Sequence, residues 1–454
     1  MARTVAAVVG GSVAGLLAAR VLSPAFERVI VFERDDLSLA SAGSGVRKGT
    51  PQAHHAHALL GAGSAVLERL FPDLFAAIAQ AGGIYQDMSQ YNNWHHFGGW
   101  KRRFESNIRI HVQSRPLLEA ELRRRVLALP NVELRRASVD GLSWPSQRPR
   151  LALGTDQVDV DFLVDASGRA SKLPEALEAA GFEPPREDSV VVDVNYTSAR
   201  FTASASRDWL GILLYPHPPL GKRAGAALPL ETGEVLVSMF GWCGEHSAAD
   251  DDAFREFARS LPEPEIAHFL ASATRASDFH RYHYRSARLR HYASLRRVAP
   301  RTVAIGDALC SVDPVFGQGM TVAALSAQIL ERCLRESDDD PTRAYWARVP
   351  AAYRTAWELS TSEDFRYPEV PGRRPFGIGF AHWYTGHVHR LTCSDDDVYR
   401  RFARVMNLLE PPSHLFHPSV LGKVFLRALT GRSLESGPRP RSPEPPEFLR
   451  QQIV

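Results

Sequence analysis

Short apolar runs alternate with helix-forming segments in the first part of the chain, the pattern of an α/β fold. The run from Val5 to Val9 predicts a strand, and the segment from Leu16 to Leu22, after a glycine turn, predicts a helix. The next apolar run, Arg28 to Phe32, predicts a second strand that ends beside Glu33. Strand, turn, helix and strand in this order predict a Rossmann-like domain.

A period-two alternation of apolar and polar residues replaces this pattern between about 185 and 285. Such alternation predicts a β-sheet, and the turn at residues 231–233 predicts a hairpin between two of its strands. The predicted strands are Val190 to Tyr196, Gly211 to Tyr215, Ala224 to Leu230 and Glu234 to Phe240.

The chain beyond residue 341 changes again, to helical patterns that include Ala347 to Leu359 and Val398 to Leu409. From Ser433 it is rich in Pro, Arg and Ser, a composition that predicts a disordered tail. The predicted fold class is therefore α/β, with a Rossmann-like domain, an inserted β-sheet domain and a C-terminal helical region.

The composition of the 454 residues is that of an ordinary globular protein, with 44% hydrophobic and 23% charged residues. It excludes disorder of the whole chain, and the length favours two packed domains with additional helices. The formal net charge of +3 gives no electrostatic case for a nucleic-acid or anionic-membrane partner. The four cysteines form no CxxC pair, so neither a zinc site nor a disulfide framework is indicated.

The N-terminal run from Val5 to Leu22 has a signal peptide as its alternative interpretation, because Arg3 precedes an apolar stretch. Three glycines interrupt the run and a predicted strand follows at once. A strand, turn and helix explain these glycines, whereas a signal peptide leaves them unexplained. Since no segment has the length and purity of a membrane span, we expect a cytoplasmic protein without such a span.

The glycine turn at residues 10–15 has features that a dinucleotide-binding turn requires. Gly10 permits the tight turn, Gly15 lets helix and strand pack closely, and the N–H groups at the helix start would face a pyrophosphate. Glu33 follows about twenty positions later, where this fold needs an acid for a pair of ribose hydroxyls. Ser12 replaces the middle glycine of the full pattern, and an ordinary glycine-rich turn is the alternative.

A second turn, within Thr302 to Met320, is the strongest chemical signal in the chain. A predicted buried strand ends at Gly306, which leaves room for a ligand, and Asp307 offers a carboxylate acceptor for sugar-type hydroxyls. After Pro314, glycines bring backbone N–H groups to a helix start that favours a negative charge. Reduced flavin carries such a charge on the pyrimidine side of its ring. A helix cap after a core strand is the alternative.

These turns, in this order and separation, resemble those of the flavoprotein monooxygenases related to para-hydroxybenzoate hydroxylase. The turn at 10–15 matches that family's first FAD motif, and Gly306-Asp307 with Pro314 matches its GD motif. The turn from Asp165 to Arg169, which alone is more typical of a loop, matches the DG motif loosely because two residues separate the acid from the glycine. The resemblance extends from residue 1 to about 340 and is weaker from about 180 to 285.

The resemblance implies a division of the chain into an FAD-binding domain in three parts and a substrate domain in two. The FAD-binding parts are 1–75, 105–184 and 286–340, the substrate parts 76–104 and 185–285, followed by a helical region, 341–432, and a tail, 433–454.

The same resemblance implies roles for individual residues. Glu33 would bind the adenosine ribose, Arg47 and Arg115 would contact the ribityl or pyrophosphate part, and Asp307 would hold the ribityl chain. Without the matching context, each arginine would be interpreted as a surface residue. The expected cofactor-binding residues are Gly10, Ser12, Val13, Ala14, Gly15, Glu33, Arg34, Arg47, Lys48, Arg115, Val139, Asp165, Gly306, Asp307, Pro314, Gly317, Gln318, Gly319 and Met320.

Two further segments bear on the surroundings of the cofactor. The segment from Arg47 to Leu60 resembles the subset of the family that includes the bacterial epoxidases of polyether biosynthesis. Its histidines, His54, His55 and His57, lack an accompanying acid or cysteine, so we expect a segment packed near the flavin and no metal site. The aromatic segment from Tyr91 to Trp100 either lines an apolar pocket or forms a packed strand.

The function that the resemblance implies is monooxygenation, in which reduced flavin adds dioxygen at C4a and the hydroperoxide attacks an electron-rich ring or alkene. The expected substrate is a hydrophobic polyketide, aromatic or terpenoid small molecule of secondary metabolism. NADPH or NADH would supply electrons, directly or through a separate flavin reductase, since no second glycine-rich nucleotide fold is present. No catalytic acid or base can be nominated.

Three alternatives remain open on the same scaffold. A flavin oxidase or reductase would move hydride without inserting oxygen, and a flavin-binding accessory protein would catalyse nothing. A flavin halogenase is disfavoured because the chain has no Trp-x-Trp-x-Ile-Pro run.

Overall fold

The computed structural model describes residues 4–37, 47–203, 209–246, 248–337 and 339–430. Its strands are β1 (Val5–Val9), β2 (Arg28–Glu33), β3 (Ile84–Asp87), β4 (Asn92–His96), β5 (Gly99–Trp100), β6 (Arg109–Val112), β7 (Val132–Arg136), β8 (Gly141–Ser143), β9 (Arg150–Leu153), β10 (Asp156–Asp159), β11 (Phe162–Asp165), β12 (Glu187–Thr202), β13 (Gly211–Leu214), β14 (Arg223–Pro229), β15 (Val235–Gly241), β16 (Thr274–Arg275), β17 (His280–Arg290), β18 (Thr302–Ala304) and β19 (Cys310–Ser311). Its helices are α1 (Val13–Leu22), α2 (Gly61–Leu70), α3 (Leu74–Gln80), α4 (Met88–Tyr91), α5 (Arg115–Leu127), α6 (Leu173–Ala179), α7 (Asp251–Arg259), α8 (Glu265–Ser272), α9 (Gly319–Glu336), α10 (Thr342–Arg348), α11 (Pro350–Asp364), α12 (Ile378–Leu391), α13 (Asp396–Met406) and α14 (Pro418–Thr430).

The predicted α/β unit forms a parallel sheet of five strands in the described residues, in the order β18-β11-β1-β2-β7. Helix α1 follows β1 and packs on the sheet through a buried apolar face that includes Leu16 and Leu17. Val9 pairs with Asp165 at the ends of β1 and β11, and Asp165 pairs with Ala304 at the end of β18. Because parallel strands end at one edge, the three turns identified in the sequence meet there.

The period-two segments form a second, mostly antiparallel sheet, in which the long strand β12 lies between β17 and β15. Strands β14 and β15 pair through the predicted hairpin. The aromatic segment from Tyr91 to Trp100 contributes the wholly buried strand β4, which joins this sheet in parallel beside β13. This segment is therefore a packed strand.

The region beyond residue 341 is helical in its described part, as predicted, although the boundaries differ. The predicted helix from Ala347 to Leu359 spans a junction, because α10 ends at Arg348 and Pro350, which cannot donate a backbone hydrogen bond, starts α11. Helix α13 starts after Asp395, whose carboxylate accepts a hydrogen bond from the Val398 N–H at 3.0 Å. Helices α12 to α14 pack around Trp94 of β4.

Two further sequence expectations concern the C-terminal tail and membrane-spanning helices. The predicted disordered tail from Ser433 lies outside the described residues. Among the residues that are described, none of the helices is both long enough and apolar enough to cross a membrane. The domain boundaries inferred from the sequence stay predictions.

Candidate functional site

A cavity of about 610 Å³ lies where the ends of β1, β11 and β18 face the second sheet, within the size range of small-molecule sites. Sixteen of the nineteen expected residues line it, all except Gly15, Lys48 and Gln318. Those that line it are Gly10, Ser12, Val13, Ala14, Glu33, Arg34, Arg47, Arg115, Val139, Asp165, Gly306, Asp307, Pro314, Gly317, Gly319 and Met320.

The first turn has the close backbone packing expected of its glycines. Gly10 has a φ of 104°, and a Cβ there would lie 2.4 Å from the carbonyl oxygen of Ala166. A Cβ at Gly15 would lie 1.8 Å from the Gly10 oxygen, so Gly15 serves helix packing and does not line the cavity. Ser12 is the N-cap of α1 but makes no capping side-chain hydrogen bond. Its hydroxyl therefore leaves the first N–H groups of the helix free for an anion.

Buried charged side chains lie beside this turn. Arg47 contacts Glu119 at 2.8 Å, Glu33 at 3.1 Å and Asp35 at 3.2 Å, and Glu33 also accepts a 2.7 Å hydrogen bond from the Gly11 N–H. Burial opposes the charge on Arg47, but Glu119 and Glu33 outweigh it and raise the pKa of Arg47. Burial likewise disfavours ionised Glu119, yet its neighbouring arginines lower the pKa of that carboxyl. Arg47 and Glu119 therefore stay ionised as a pair.

Arg115, at the start of α5, extends this cluster into the cavity. Its Nη2 donates to the Ser12 hydroxyl at 2.9 Å and lies 3.4 Å from a carboxylate oxygen of Glu119. Its Nε is buried and has no hydrogen-bond partner in the described part of the chain. An unsatisfied buried donor of a cation is costly, so an anionic ligand would stabilise it.

In the turn after β11, the carboxylate of Asp165 stabilises the backbone of the turn through hydrogen bonds. The carboxylate of Asp165 accepts a hydrogen bond from the Ser167 N–H at 3.0 Å and is also bonded to the hydroxyls of Ser167 and Ser171. Asp165 still lines the cavity, although these contacts use much of its acceptor capacity.

The turn after β18 places the carboxylate of Asp307 at the cavity. Gly306 has a φ of 65°, and a Cβ there would lie 2.8 Å from Cβ of Ala14, so the two turns touch. The Asp307 carboxylate accepts no hydrogen bond from any described residue, and burial raises its pKa against the opposing effect of Arg169 and Arg115. A ligand with hydroxyl groups would supply the missing donors.

The start of the 18-residue helix α9 closes this side of the cavity. Gly317 has a φ of 65°, and neither an acidic residue in the first turn nor a capping side chain occupies the helix start. The side chain of the N-cap residue Gln318 is fully buried and does not line the cavity. The helix start is thus suited to a ligand with negative charge.

The opposite wall contains residues that sequence reasoning did not assign to the site. They are Tyr196 from β12 and Tyr282 and Tyr284 from β17. Tyr196 pairs directly with Tyr282 across the two strands. The alternation of Tyr282 and Tyr284 indicates a common face, but their position opposite Tyr196 depends on a strand register that the sequence alone does not give.

His55 and His57 also line the cavity, whereas His54 does not. Burial lowers the pKa of His55 to about 3 and that of His57 to about 4, so both rings are neutral at pH 7. Across the described ranges, no group of three or more His, Cys, Asp or Glu residues could hold a metal ion. None of the residues from Tyr91 to Trp100 lines the cavity.

Comparison with known proteins gives a family and, separately, a fold. No protein-family model matches the sequence. Protein Rv3254 of Mycobacterium tuberculosis (strain ATCC 25618 / H37Rv) is 32% identical over 362 residues, which cover 73% of each chain. The chain belongs to the Rv3254 family.

Solved structures share the fold of this Rv3254-family protein over nearly its whole length. A flavoprotein/dehydrogenase from Cytophaga hutchinsonii has a TM-score of 0.67 and 14% identity, covering 94% of this chain and all of its own. The flavin-dependent brominase Bmp2 has a TM-score of 0.64 and 14% identity, covering 94% and 99%. p-Nitrophenol 4-monooxygenase PnpA from Pseudomonas putida DLL-E4 has a TM-score of 0.61 and 16% identity, covering 91% and 100%. These likenesses confirm the predicted fold class.

Proposed function

We propose that the cavity binds FAD and that the protein is a flavin-dependent monooxygenase of a hydrophobic small molecule. The observation that carries the proposal is the Asp307 carboxylate, which lines the cavity with no hydrogen-bond partner among the described residues, between two helix starts that favour anions. An elongated dinucleotide with a polyhydroxyl chain between phosphate and ring would supply hydroxyl donors to Asp307 and negative charge to the two helix starts.

The residues present fit each part of FAD. Glu33 and Arg34 would lie at the adenosine end, and the start of α1 with Arg115 would hold the pyrophosphate. Asp307 would accept hydrogen bonds from the ribityl hydroxyls. Pro314 and residues 317–320 would lie along the pyrimidine side of the flavin ring, whose reduced form carries negative charge.

Bound FAD supplies the redox chemistry and the activation of dioxygen. In the proposed reaction one atom of dioxygen enters the substrate and the other leaves as water. A hydride from NADPH or NADH supplies two electrons and one proton, and solvent supplies the second proton. These electrons arrive directly or through a separate reductase. The protein orients the substrate through the wall formed by Tyr196, Tyr282 and Tyr284 and excludes water.

Monooxygenation is favoured over halogenation because the chain lacks the Trp-x-Trp-x-Ile-Pro run, even though its fold is shared with a brominase. A related oxidase or reductase would use the same cavity. Polyketides, aromatic compounds and terpenoids are the proposed substrate classes, since most of the cavity wall is apolar or aromatic.

The purified protein tests the cofactor first. We expect one FAD per chain, and we expect Asp307→Ala to weaken FAD binding by roughly tenfold to a hundredfold, as loss of a charge-assisted hydrogen bond predicts. Asp307→Asn, which keeps one acceptor oxygen and the side-chain volume, should bind with intermediate affinity. Equal flavin content in all three proteins would contradict the assigned site.

Turnover with ¹⁸O₂ tests the reaction class. NADPH or NADH oxidation stimulated by a substrate, with one ¹⁸O atom in the product, is the expected result. Product without the label would replace the proposal by an oxidase or reductase, and bound FAD that no nicotinamide or reductase can reduce would indicate an accessory protein.

A further inference from the structure

The C-terminal helices expose large apolar side chains far from the cavity residues in the sequence. Among the described residues eleven large hydrophobic side chains are exposed, and seven of them lie between residues 376 and 429. We call these seven the aromatic patch: Phe376, Phe380, Trp383, Phe416, Phe425, Leu426 and Leu429. Large exposed apolar patches mark sites where a protein binds a partner or a membrane.

The rings of the aromatic patch adjoin one another across α12 and α14. The ring centroid of Trp383 lies 5.6 Å from that of Phe380 and 5.8 Å from that of Phe425 on α14. Phe416 stacks at 4.7 Å on the buried Tyr384, whose ring lies 6.1 Å from that of Phe380. The exposed rings therefore belong to one surface and are not scattered single residues.

Helix α14 is apolar on two faces. Val420 and Val424 are buried in the apolar cluster that contains Trp94, whereas Phe425, Leu426 and Leu429 are exposed. A helix at the surface of a globular protein normally has polar residues on its outer face. The apolar outer face of α14 therefore indicates a second apolar environment outside the fold.

Positive charge is concentrated in the same part of the chain. Residues 371–430 contain eight basic and four acidic side chains, although the whole chain has a net charge of only +3. Each of the four acids already pairs with a basic side chain: Asp395 with Lys423, Asp396 with Arg102, Asp397 with Arg401 and Glu410 with Arg404. The net charge of the chain does not reveal this local excess.

Two arginines beside the aromatic patch have no acidic partner in the described part of the chain. Arg373 precedes Phe376 by three residues, and Arg390 lies in the last turn of α12. Burial and then the charges of Arg390 and Arg427 lower the pKa of His387, whose ring lies 5.0 Å from that of Trp383. Positive charge thus borders the aromatic rings directly.

We propose that the aromatic patch and its arginines bind the surface of a membrane that contains anionic phospholipids. The Phe, Trp and Leu side chains would enter the boundary between headgroups and acyl chains, and the arginines would lie at the level of the lipid phosphates. These phosphates supply the negative charge that the paired acids of this region do not. Binding of this kind, at one surface of the bilayer, requires no helix that crosses it.

Two other occupants of the patch suit its charges less well. In a symmetric dimer the same surface faces itself, so Arg373 and Arg390 would approach cations of the second copy with no free acid from this region to pair with them. Residues 431–454, which follow α14, contain four arginines and three glutamates and offer no net negative charge. Both occupants are outcomes of the test.

Sedimentation of the purified full-length protein with vesicles tests the inference. We expect it to bind vesicles of phosphatidylcholine mixed with phosphatidylglycerol at least about tenfold more tightly than vesicles of phosphatidylcholine alone, with a smaller ratio at high salt. The double variant Phe376→Ser, Leu429→Ser should bind the mixed vesicles about tenfold more weakly or worse, because two exposed apolar side chains no longer enter the bilayer. Arg373→Gln with Arg390→Gln should lower the ratio between the two kinds of vesicle severalfold.

Matched controls change the same residue types elsewhere on the surface. Tyr85→Ser with Leu127→Ser alters an exposed aromatic residue and an exposed leucine, and Arg259→Gln with Arg332→Gln removes two exposed arginines. Both should bind vesicles as the wild type does. Failure of the wild type to bind mixed vesicles, or equal weakening in patch and control variants, would overturn the inference.

The other occupants give distinct results, and each of these also overturns the inference. A dimer in solution that Phe376→Ser with Leu429→Ser dissociates, together with no vesicle binding, would assign the patch to a second copy. Vesicle binding that appears only in a chain ending at Thr430 would show that residues 431–454 cover the patch. None of these measurements depends on FAD content or ¹⁸O incorporation, so the proposed function stands or fails separately.

Discussion

The two walls of the cavity are built in different ways. The wall on the parallel sheet consists of turns that directly follow β1, β11 and β18, and its contacts are made by glycine backbones and charged side chains. The wall on the second sheet consists of aromatic side chains, with Tyr196 opposite Tyr282 across two long strands, and of the neutral His55.

This difference suits the first wall to cofactor binding and the second wall to substrate selection. In the proposed function the first wall binds the cofactor, which is the same for every substrate, through helix starts and an acidic side chain. The second wall has few charges and a specific pattern of hydrogen-bonding atoms, which is how a site discriminates between similar substrates. Changes in the first wall should therefore alter cofactor affinity, and changes in the second should alter substrate choice.

The largest effect is expected at Gly306, where the two main turns of the first wall meet. In Gly306→Val a β-branched residue would adopt a φ of 65° with its Cβ 2.8 Å from Cβ of Ala14. Strain and overpacking of roughly 2–6 kcal/mol predict a loss of FAD affinity of about thirtyfold or more. The measurement is flavin content and dissociation constant of the folded protein.

Gly154→Val is the matched control for this prediction. Gly154 has nearly the same φ, 62°, but nothing lies within 4 Å of its Cβ position and it does not line the cavity. It should keep its FAD and lose only some stability through backbone strain. Loss of flavin in both variants would show that global destabilisation explains the effect, and the first wall would then have no special role.

The sequence predicted the first wall and not the second, for a physical reason. Residues such as Gly306 and Asp307 act through the turn in which they stand, so their neighbours in the chain indicate their role. Tyr196 and Tyr282 are 86 positions apart, and only the register of β12 and β17 brings them together. The packed state of the segment around Trp94 likewise depends on helices that lie about 300 residues later.

A smaller effect is expected from two carboxyl groups behind the Pro314 turn. Asp313 and Asp364 are both fully buried, and Asp313 accepts hydrogen bonds from the Val315 N–H at 3.0 Å and the indole of Trp242 at 3.2 Å. Neither carboxylate oxygen of Asp364 has such a partner in the described chain. Burial raises the pKa of Asp313 to about 6 and, with the charge of Asp313 nearby, that of Asp364 well above its usual value.

The sign of the pH effect follows from these shifts. A carboxyl whose pKa is raised in the folded state stabilises the fold below the unfolded pKa of about 4, and this stabilisation is lost as the pH rises through the folded value. We expect the melting temperature to fall from pH 5 to pH 8, and Asp364→Asn to reduce that fall by roughly 2 °C or more. The exposed control Asp252→Asn should leave the slope unchanged, and a slope that Asp364→Asn does not alter would contradict the buried pair.

The smallest effect is expected at Lys48, an exposed residue at the edge of the first wall that does not line the cavity. Its neighbour Arg47 lines the cavity and pairs with two buried acids, Glu33 and Glu119, and with the half-buried Asp35. Arg47→Ala should therefore weaken FAD binding clearly, whereas Lys48→Ala should change it by less than about 0.5 kcal/mol. Titration of the apoprotein with FAD at low and high salt measures both. A salt-dependent loss in Lys48→Ala as large as that in Arg47→Ala would mean that Lys48 reaches the cofactor phosphates from the rim. The first wall would then extend beyond the residues that line the cavity.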